Sequence, residues 1–191
     1  METVQWTVSP VQKQNMGSHC FAPTKANRIK KMLKIKIITI GKIKESSIKE
    51  MLSEYEKRLS RYCDISIIEL DDEKELSDNN KDIEKVVNIE SEKILKQFEK
   101  NNDYKILLDI NGKELDSIEL AEKIANINND LNKNILFVIG GSNGVNDEVR
   151  KAVDFRLSFS KLTFPHQLFR VILVEQIYRC FKIINGEKYH K

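Results

Sequence analysis

The chain predicts an α/β fold, a mainly parallel sheet of five to six strands with helices on both faces. Two observations carry this reading. Short apolar runs of strand length alternate with longer segments whose apolar residues recur at helical spacing. The runs, such as "IKIITI" and "ILFVI", are apolar almost without a break, the pattern of strands covered on both faces.

The first strand is "LKIKIITIG", beginning at Leu33. A helix follows in which Ile48, Met51, Leu52, Tyr55, Leu59 and Tyr62 share a face, and Ser47 with Glu50 has the spacing of a capping box. "CDISIIEL" is the second strand and "DDEKELSDNN" an acidic loop. Ile83, Val86, Val87, Ile94, Leu95 and Phe98 mark the second helix. "YKILLDI" is the third strand, which Asn111-Gly112 is expected to stop. Asp116 and Glu119 then cap a helix bearing Leu120, Ala121, Ile124 and Ile127. "NILFVIGGSNG" is a fourth strand running into glycines, followed by a short helix at Val149 to Val153 and a fifth strand, "RLSFS". A long helix closes the chain, with Pro165 in its first turn and Thr163 as its expected cap.

The composition is that of one globular domain with a substantial core, 40% hydrophobic and 32% charged over 191 residues. Residues 1–31 differ from the rest: they hold the only Trp and two of the three Pro, and they lack any sustained period. They read as an unstructured leader or expression segment, with Met32 the natural start and 32–191 a single domain. No secretory signal opens the chain, and Arg170, Glu175 and Arg179 interrupt its most apolar run, so a cytoplasmic protein without a membrane span is expected. Cys20, Cys63 and Cys180 are too scattered for a disulfide framework, and His19, His166 and His190 form no metal-ligand cluster, so no metal is expected.

Charge is divided along the chain. Residues 1–44 carry nine Lys/Arg against one Glu, a net of +8; residues 64–92 carry three Lys against eleven Asp/Glu, a net of −8; residues 156–191 carry seven against two, a net of +5. A chain divided in this way can turn a basic face to RNA, although charge alone fits a solvated surface equally.

Ligands of parallel sheets sit beyond the carboxyl ends of the strands, which directs attention to the loops after Ile110, Ile139 and Ser160. In "VIGGSNG" glycines permit close backbone approach to a polar ligand, but the spacing fits neither the dinucleotide fingerprint nor the phosphate loop. The final helix carries apolar residues around almost its whole circumference, enough to meet the sheet on one side and a second subunit on another. His166 with Arg170, and Glu175 with Arg179, stand four apart; they are either ordinary pairs on a helix edge or a polar seam at a shared site. The tail, Lys188-Tyr189-His190-Lys191, combines cations with a ring suited to a phosphate backbone and a base.

In order, "KIKIITIGK", "EYEKRL", "FVIGGSNG", "LSFSKLTFPHQLFRVILVEQIYRCFKI" and the terminal "YHK" closely resemble the ribosomal RNA large subunit methyltransferase H family, of the SPOUT class of knotted methyltransferases. The resemblance spans residues 32–191. It implies an S-adenosylmethionine-dependent enzyme that methylates N3 of a pseudouridine in 23S rRNA of the assembled ribosome. It also implies a homodimer with its site at the subunit interface and a last helix threaded through a trefoil knot. The family's cofactor contacts carry onto Leu108, Gly140 and the loop Phe159, Ser160, Lys161, Leu162, Thr163 and Phe164. For the chemistry, His190 is the candidate for handling the N3 proton, with Tyr189 and Arg179 positioning the nucleotide. His166, Arg170, Lys188 and Lys191 are expected to support the substrate. Two other readings stand beside this one: a ribosome-binding or nucleotide-sensing module without methyl transfer, and a phosphate-binding enzyme built on the glycine loop.

Overall fold

The computed structural model describes residues 32–74, 79–99, 102–129 and 131–189; the expectations for residues 1–31, His190 and Lys191 lie outside the described residues. Strands and helices alternate as β1 (Leu33–Ile40), α1 (Ser46–Leu59), β2 (Cys63–Leu70), α2 (Asn80–Glu99), β3 (Tyr104–Glu114), α3 (Ser117–Asn129), β4 (Ile135–Ile139), α4 (Asp147–Ala152), β5 (Phe155–Ser158) and α5 (His166–Ile184). The sheet has five strands, all parallel, in the order β2-β1-β4-β3-β5.

Its two faces follow from strand alternation. Ile35 and Ile37 of β1, with Ile135, Phe137 and Ile139 of β4, pack under α1, α3 and α5. Ile38 and Ile40, with Leu136 and Val138, turn to the other face and meet α2 and α4 through Ile94, Phe98 and Val149. The central strands are therefore apolar at every position because both sides are covered. Cys63 and Cys180 are free, buried thiols, and burial pushes both up to about 12.

Local signals fared unevenly. The Asp116–Glu119 box forms in both directions: Asp116 Oδ1 accepts from the amides of Ile118 and Glu119 at 2.8 Å, and Glu119 Oε2 accepts from Asp116 N at 2.8 Å. The Ser47–Glu50 box does not form, because α1 starts at Ser46, two residues before a Ser47 cap would allow, and is capped at Glu45 without a side-chain bond. Thr163 is likewise no cap; Pro165 occupies that position and makes no side-chain bond. Asn111-Gly112 does not stop β3, which runs on to Glu114 through a register shift between Leu108 and Lys113. A Cβ at Gly112 would lie 2.7 Å from the Arg156 carbonyl carbon, so this glycine serves the close approach of β5 rather than a turn.

After β5, at the sheet edge, residues 159–165 cross the carboxyl ends of β3 and β4 and deliver α5 beside β1. Val171, Leu173, Val174, Ile177, Cys180 and Phe181 then face the core, and each fully buried Leu or Ile contributes about 1.5–3 kcal/mol. The far side of the helix is uncovered in this chain: Leu168 is exposed and Ile172 half-buried. Among the described residues no helix is long and apolar enough to cross a membrane.

Arg170, only 1% exposed, fixes the start of α5. Its Nη1 donates to Glu69 Oε1 at 2.8 Å, and its Nη2 to the carbonyls of Ile40 at 2.9 Å and Gly41 at 2.8 Å. Glu69 Oε1 also accepts from Ile43 N at 3.0 Å, so one ion pair joins α5 to the ends of β1 and β2. Arg170 therefore ties the start of α5 to the strand ends, with its Nη donors used inside the chain. One turn earlier, His166 Nε2 donates to the Ile40 carbonyl at 2.9 Å. Burial holds this imidazole below its ordinary value and the Arg170 charge adds to that, while the Ile40 bond opposes them.

Two outcomes follow for stability. Arg170→Ala should lower unfolding free energy by on the order of 3 kcal/mol in urea titration, because it strands Glu69 and two carbonyls; Lys should rescue little, since it lacks the fork. A histidine depressed in the folded state binds fewer protons there than when unfolded, so stability is lost as pH falls below about 6.5, the unfolded value. His166→Asn should flatten that part of the pH dependence of the urea midpoint relative to the unsubstituted protein.

Candidate active site

The outer part of β3 and the loops that follow β4 and β5 converge at the carboxyl end of the sheet on one cleft of about 550 Å³. Leu108 to Asn111 form one wall, Ile139 to Val145 a second, and Leu157 to Phe164 a third, with His166 and Phe169 of α5 at the base. Of the residues expected to hold a cofactor, Leu108, Gly140, Phe159, Ser160, Leu162, Thr163 and Phe164 all line it. Lys161 does not: its ammonium donates to the Ile110 carbonyl at 3.2 Å and fastens the third wall to the first.

The glycine wall is a tight turn. Gly144 N donates to the Gly141 carbonyl at 2.9 Å, and Gly144 takes φ 80°, the left-handed region that glycine accepts without strain. A Cβ at Gly140 would meet Val145 Cγ1 at 2.8 Å and the Gly144 carbonyl carbon at 3.1 Å. Packing against Val145 and Gly144 by itself requires glycine at that position.

The third wall is held by side chains of its own segment and of α5. Ser160 Oγ accepts from Leu162 N at 3.0 Å, Phe164 stacks on Phe169 with centroids 5.4 Å apart, and Phe159 meets the same ring edge-on at 5.3 Å. Leu162, 72% exposed, projects from the loop. Sequence reading missed Phe169, which is four residues after Pro165 and looks like ordinary core. It also missed Asp109, which accepts from Arg156 Nε at 3.0 Å, lies 3.5 Å from Arg150 Nε, and lines the cleft together with Arg150. Its position in "LLDING", just beyond the buried part of a strand, was the available signal.

The remaining expected residues lie at the other end of α5. Arg179 Nη2 donates to Glu175 Oε1 at 2.6 Å, and its guanidinium lies 4.9 Å from the Tyr189 ring centroid. The Tyr189 hydroxyl donates to Glu175 Oε1 at 3.2 Å, and its ring meets Tyr178 edge-on at 5.1 Å. Burial, with Glu175 second, pushes this phenol up to about 12. Glu187 pairs with Lys182 and accepts from the Tyr62 hydroxyl at 2.9 Å, which fastens the tail against the turn that precedes β2. Lys188 is exposed. Thirteen residues of helix separate Arg179 from His166, a rise of about 20 Å. One chain therefore keeps its cleft and its Arg179–Tyr189 cluster at opposite ends of the sheet.

The cleft can take a flat, partly polar molecule of nucleoside size: Leu108, Ile139, Leu157 and Phe159 give apolar walls, and the glycine turn gives polar backbone. Among the described residues no group of three or more His, Cys, Asp or Glu is placed to hold a metal ion.

A family model described as predicted SPOUT methyltransferase matches residues 33–190. A relative from Methanococcus vannielii is 53% identical over 161 residues, 83% of this chain and 100% of its own length. The ribosomal RNA large subunit methyltransferase H of Clostridioides difficile is 49% identical over 160 residues, and that of Clostridium botulinum strain Alaska E43 48% over 161, each again covering 83% of this chain and all of the relative. The SpoU methyltransferase AviRb of Streptomyces viridochromogenes, solved in complex with AdoMet, is similar at a TM-score of 0.38 and 7% identity over 82% of this chain and 59% of its own. With its relatives matched along their entire length at about half identity, the chain belongs to the ribosomal RNA large subunit methyltransferase H family of SPOUT methyltransferases.

Proposed function

We propose that the protein is an S-adenosylmethionine-dependent methyltransferase that modifies N3 of a pseudouridine in 23S rRNA of the assembled ribosome, and that it works in the cytoplasm as a homodimer with composite sites. The observation that carries this reading is the separation along α5. The cleft suited to the cofactor and the cluster suited to the nucleotide stand about 20 Å apart in one chain, and a second copy is needed to bring them together.

Family membership supports the reaction, and the cleft supports the cofactor. When bound, S-adenosylmethionine supplies a methyl group on a sulfonium, which an in-line attack can take without a metal. Leu108, Ile139, Leu157 and Phe159 would hold its flat apolar part, and the backbone of the glycine turn and of Ser160 to Thr163 its polar edges. The target nitrogen must lose a proton, so a base and a cation near the developing negative charge both help. Arg179 offers the cation, already oriented by Glu175 and by the face of Tyr189. Tyr189, raised to about 12, keeps its proton at neutral pH and suits positioning rather than proton removal. The base role falls to His190. Knotting of the C-terminal segment, implied by the resemblance, belongs to the same proposal.

An apolar groove supports the dimer. Leu115, Ile118, Phe164, Ile172 and Gln176 line a depression between α3 and α5, with Ile118 47% and Phe164 37% exposed. Packed on a second copy, this surface gives the uncovered side of α5 a partner. Residues 1–31 are read as a leader that the reaction does not use.

Three experiments test these statements. Tritiated cofactor should label wild-type substrate in ribosomes far better than in free RNA, and a chain starting at Met32 should label at the same rate; absence of ribosome labelling sinks the proposal. A chain ended at Glu187 should bind cofactor normally but transfer roughly a hundredfold more slowly or worse. Mixed dimers that pair this truncation with a Ser142→Trp copy, whose cleft is filled, should regain roughly half the wild-type rate per dimer. Inactive mixed dimers would place cleft and tail of the same chain in one site.

A further inference from the structure

Helix α2 supplies no residue to the lining of the cleft, yet it buries polar groups beside it. Its inward face holds Val86, Ile94 and Phe98, and between them Glu90 and Ser91, which are 4% and 0% exposed. Placing a carboxyl among such neighbours is unfavourable unless it is fully engaged, and burial pushes Glu90 above the usual carboxylate range.

Its engagement is with two loops. Glu90 Oε1 accepts from the amide of Glu73, in the segment that follows β2, at 3.1 Å. The rest of the carboxyl lies against Gly141: a Cβ built there would be 2.1 Å from Oε2 and 3.1 Å from Cδ. Neighbouring residues of α2 secure the far end of the same turn. Ser91 Oγ accepts from Asn146 N at 3.0 Å, and Asn88 Oδ1 from Asn146 Nδ2 at 3.2 Å, while Asn146 Oδ1 caps α4 by accepting from Val149 N at 3.1 Å. The turn from Gly141 to Asn146 is therefore pinned at both ends from behind, and its intervening residues, Ser142 to Gly144, face the cleft.

We propose that Glu90 is a positioning residue for the cofactor: its carboxyl, wedged between the Glu73 amide and the Gly141 backbone, sets the glycine turn in the form that receives the ligand. This rests on the cleft being the cofactor site. Glycine at 141 is then required by Glu90, and the two positions act as one unit.

The test is a double-substitution cycle in the full-length protein, read by calorimetric titration with S-adenosylmethionine, by the KM and kcat of methyl transfer, and by amide exchange. Glu90→Ala should weaken cofactor binding roughly tenfold or more and raise its KM while kcat changes little, and Glu90→Gln, which keeps the acceptor and the shape, should restore most of the affinity. Gly141→Ala should also weaken binding. Adding Glu90→Ala to it should bring no further loss, because the methyl group then occupies the vacated space. Wild-type affinity in Glu90→Ala, or losses that add in the double variant, would overturn the assignment. Amide exchange of residues 141–146 reads the turn without any ligand: faster exchange in Glu90→Ala supports the assignment, and unchanged exchange overturns it. A wild-type protein that bound no S-adenosylmethionine would instead sink the cofactor reading, leaving exchange to decide the role of Glu90.

Discussion

The site depends on one buried guanidinium. Arg170 holds the carbonyls of Ile40 and Gly41 and the carboxylate of Glu69, and through them it fixes where α5 begins relative to the carboxyl ends of β1 and β2. That starting point decides the course of residues 159–165, which must reach it from an edge strand, and so decides the third wall of the cleft. Desolvating an arginine is unfavourable by several kcal/mol, and such groups persist where they impose geometry that an apolar side chain cannot specify. A leucine at 170 would fill the volume but could not choose between the ends of two strands.

The same helix separates two kinds of chemistry. At its start the surroundings combine apolar walls with polar backbone and a few polar side chains, among them Asp109 and Arg150, which suits a partly polar heteroaromatic group. Toward its end, Glu175, Arg179, Tyr178 and Tyr189 form a compact polar and aromatic cluster suited to a nucleotide. Arg179 is held there by charge on one side and a ring face on the other, so little side-chain freedom remains to be lost when a substrate arrives. The division accounts for the charges in the greasiest segment of the sequence: one arginine ties the start of α5 to the strand ends, and the other joins Glu175 and Tyr189 near its end.

Much of the fold could be read from the sequence because period and burial are local signals. "IKIITI" and "ILFVI" announced strands covered on both sides, and the Asp116–Glu119 box announced α3 to the residue. What could not be read depended on tertiary neighbours. Gly112 resembles a turn until the Arg156 backbone is seen against it, and no local pattern tells that Val145 would crowd a side chain at Gly140. The place of the cleft was legible from the rule that parallel sheets bind at their carboxyl ends, although the wall expected after Ile110 lies within β3 rather than in a loop. The role of Arg170 was not, because i to i+4 spacing with His166 says nothing about carbonyls 130 residues away. Glu90 gave no signal at all, since an acidic residue with ten other acidic residues along 64–92 reads as solvated surface.

The proposed dimer is constrained further by symmetry. A two-fold interface uses the same surface of each copy, so whatever α5 presents to its partner it must also receive. If the two α5 helices ran side by side in the same direction, each cleft would face the partner's cleft and each tail the partner's tail, and no composite site would form. If they run in opposite directions, the axis crosses α5 between its ends and maps the Arg179–Tyr189 cluster of one chain toward the cleft of the other, twice. The uncovered residues fit the second arrangement: Leu168 and Ile172 occupy the first half of α5, on the side of the groove shared with Ile118. An apolar contact placed there, between the cleft and the cluster, would let two copies pack without burying Glu175 and Arg179.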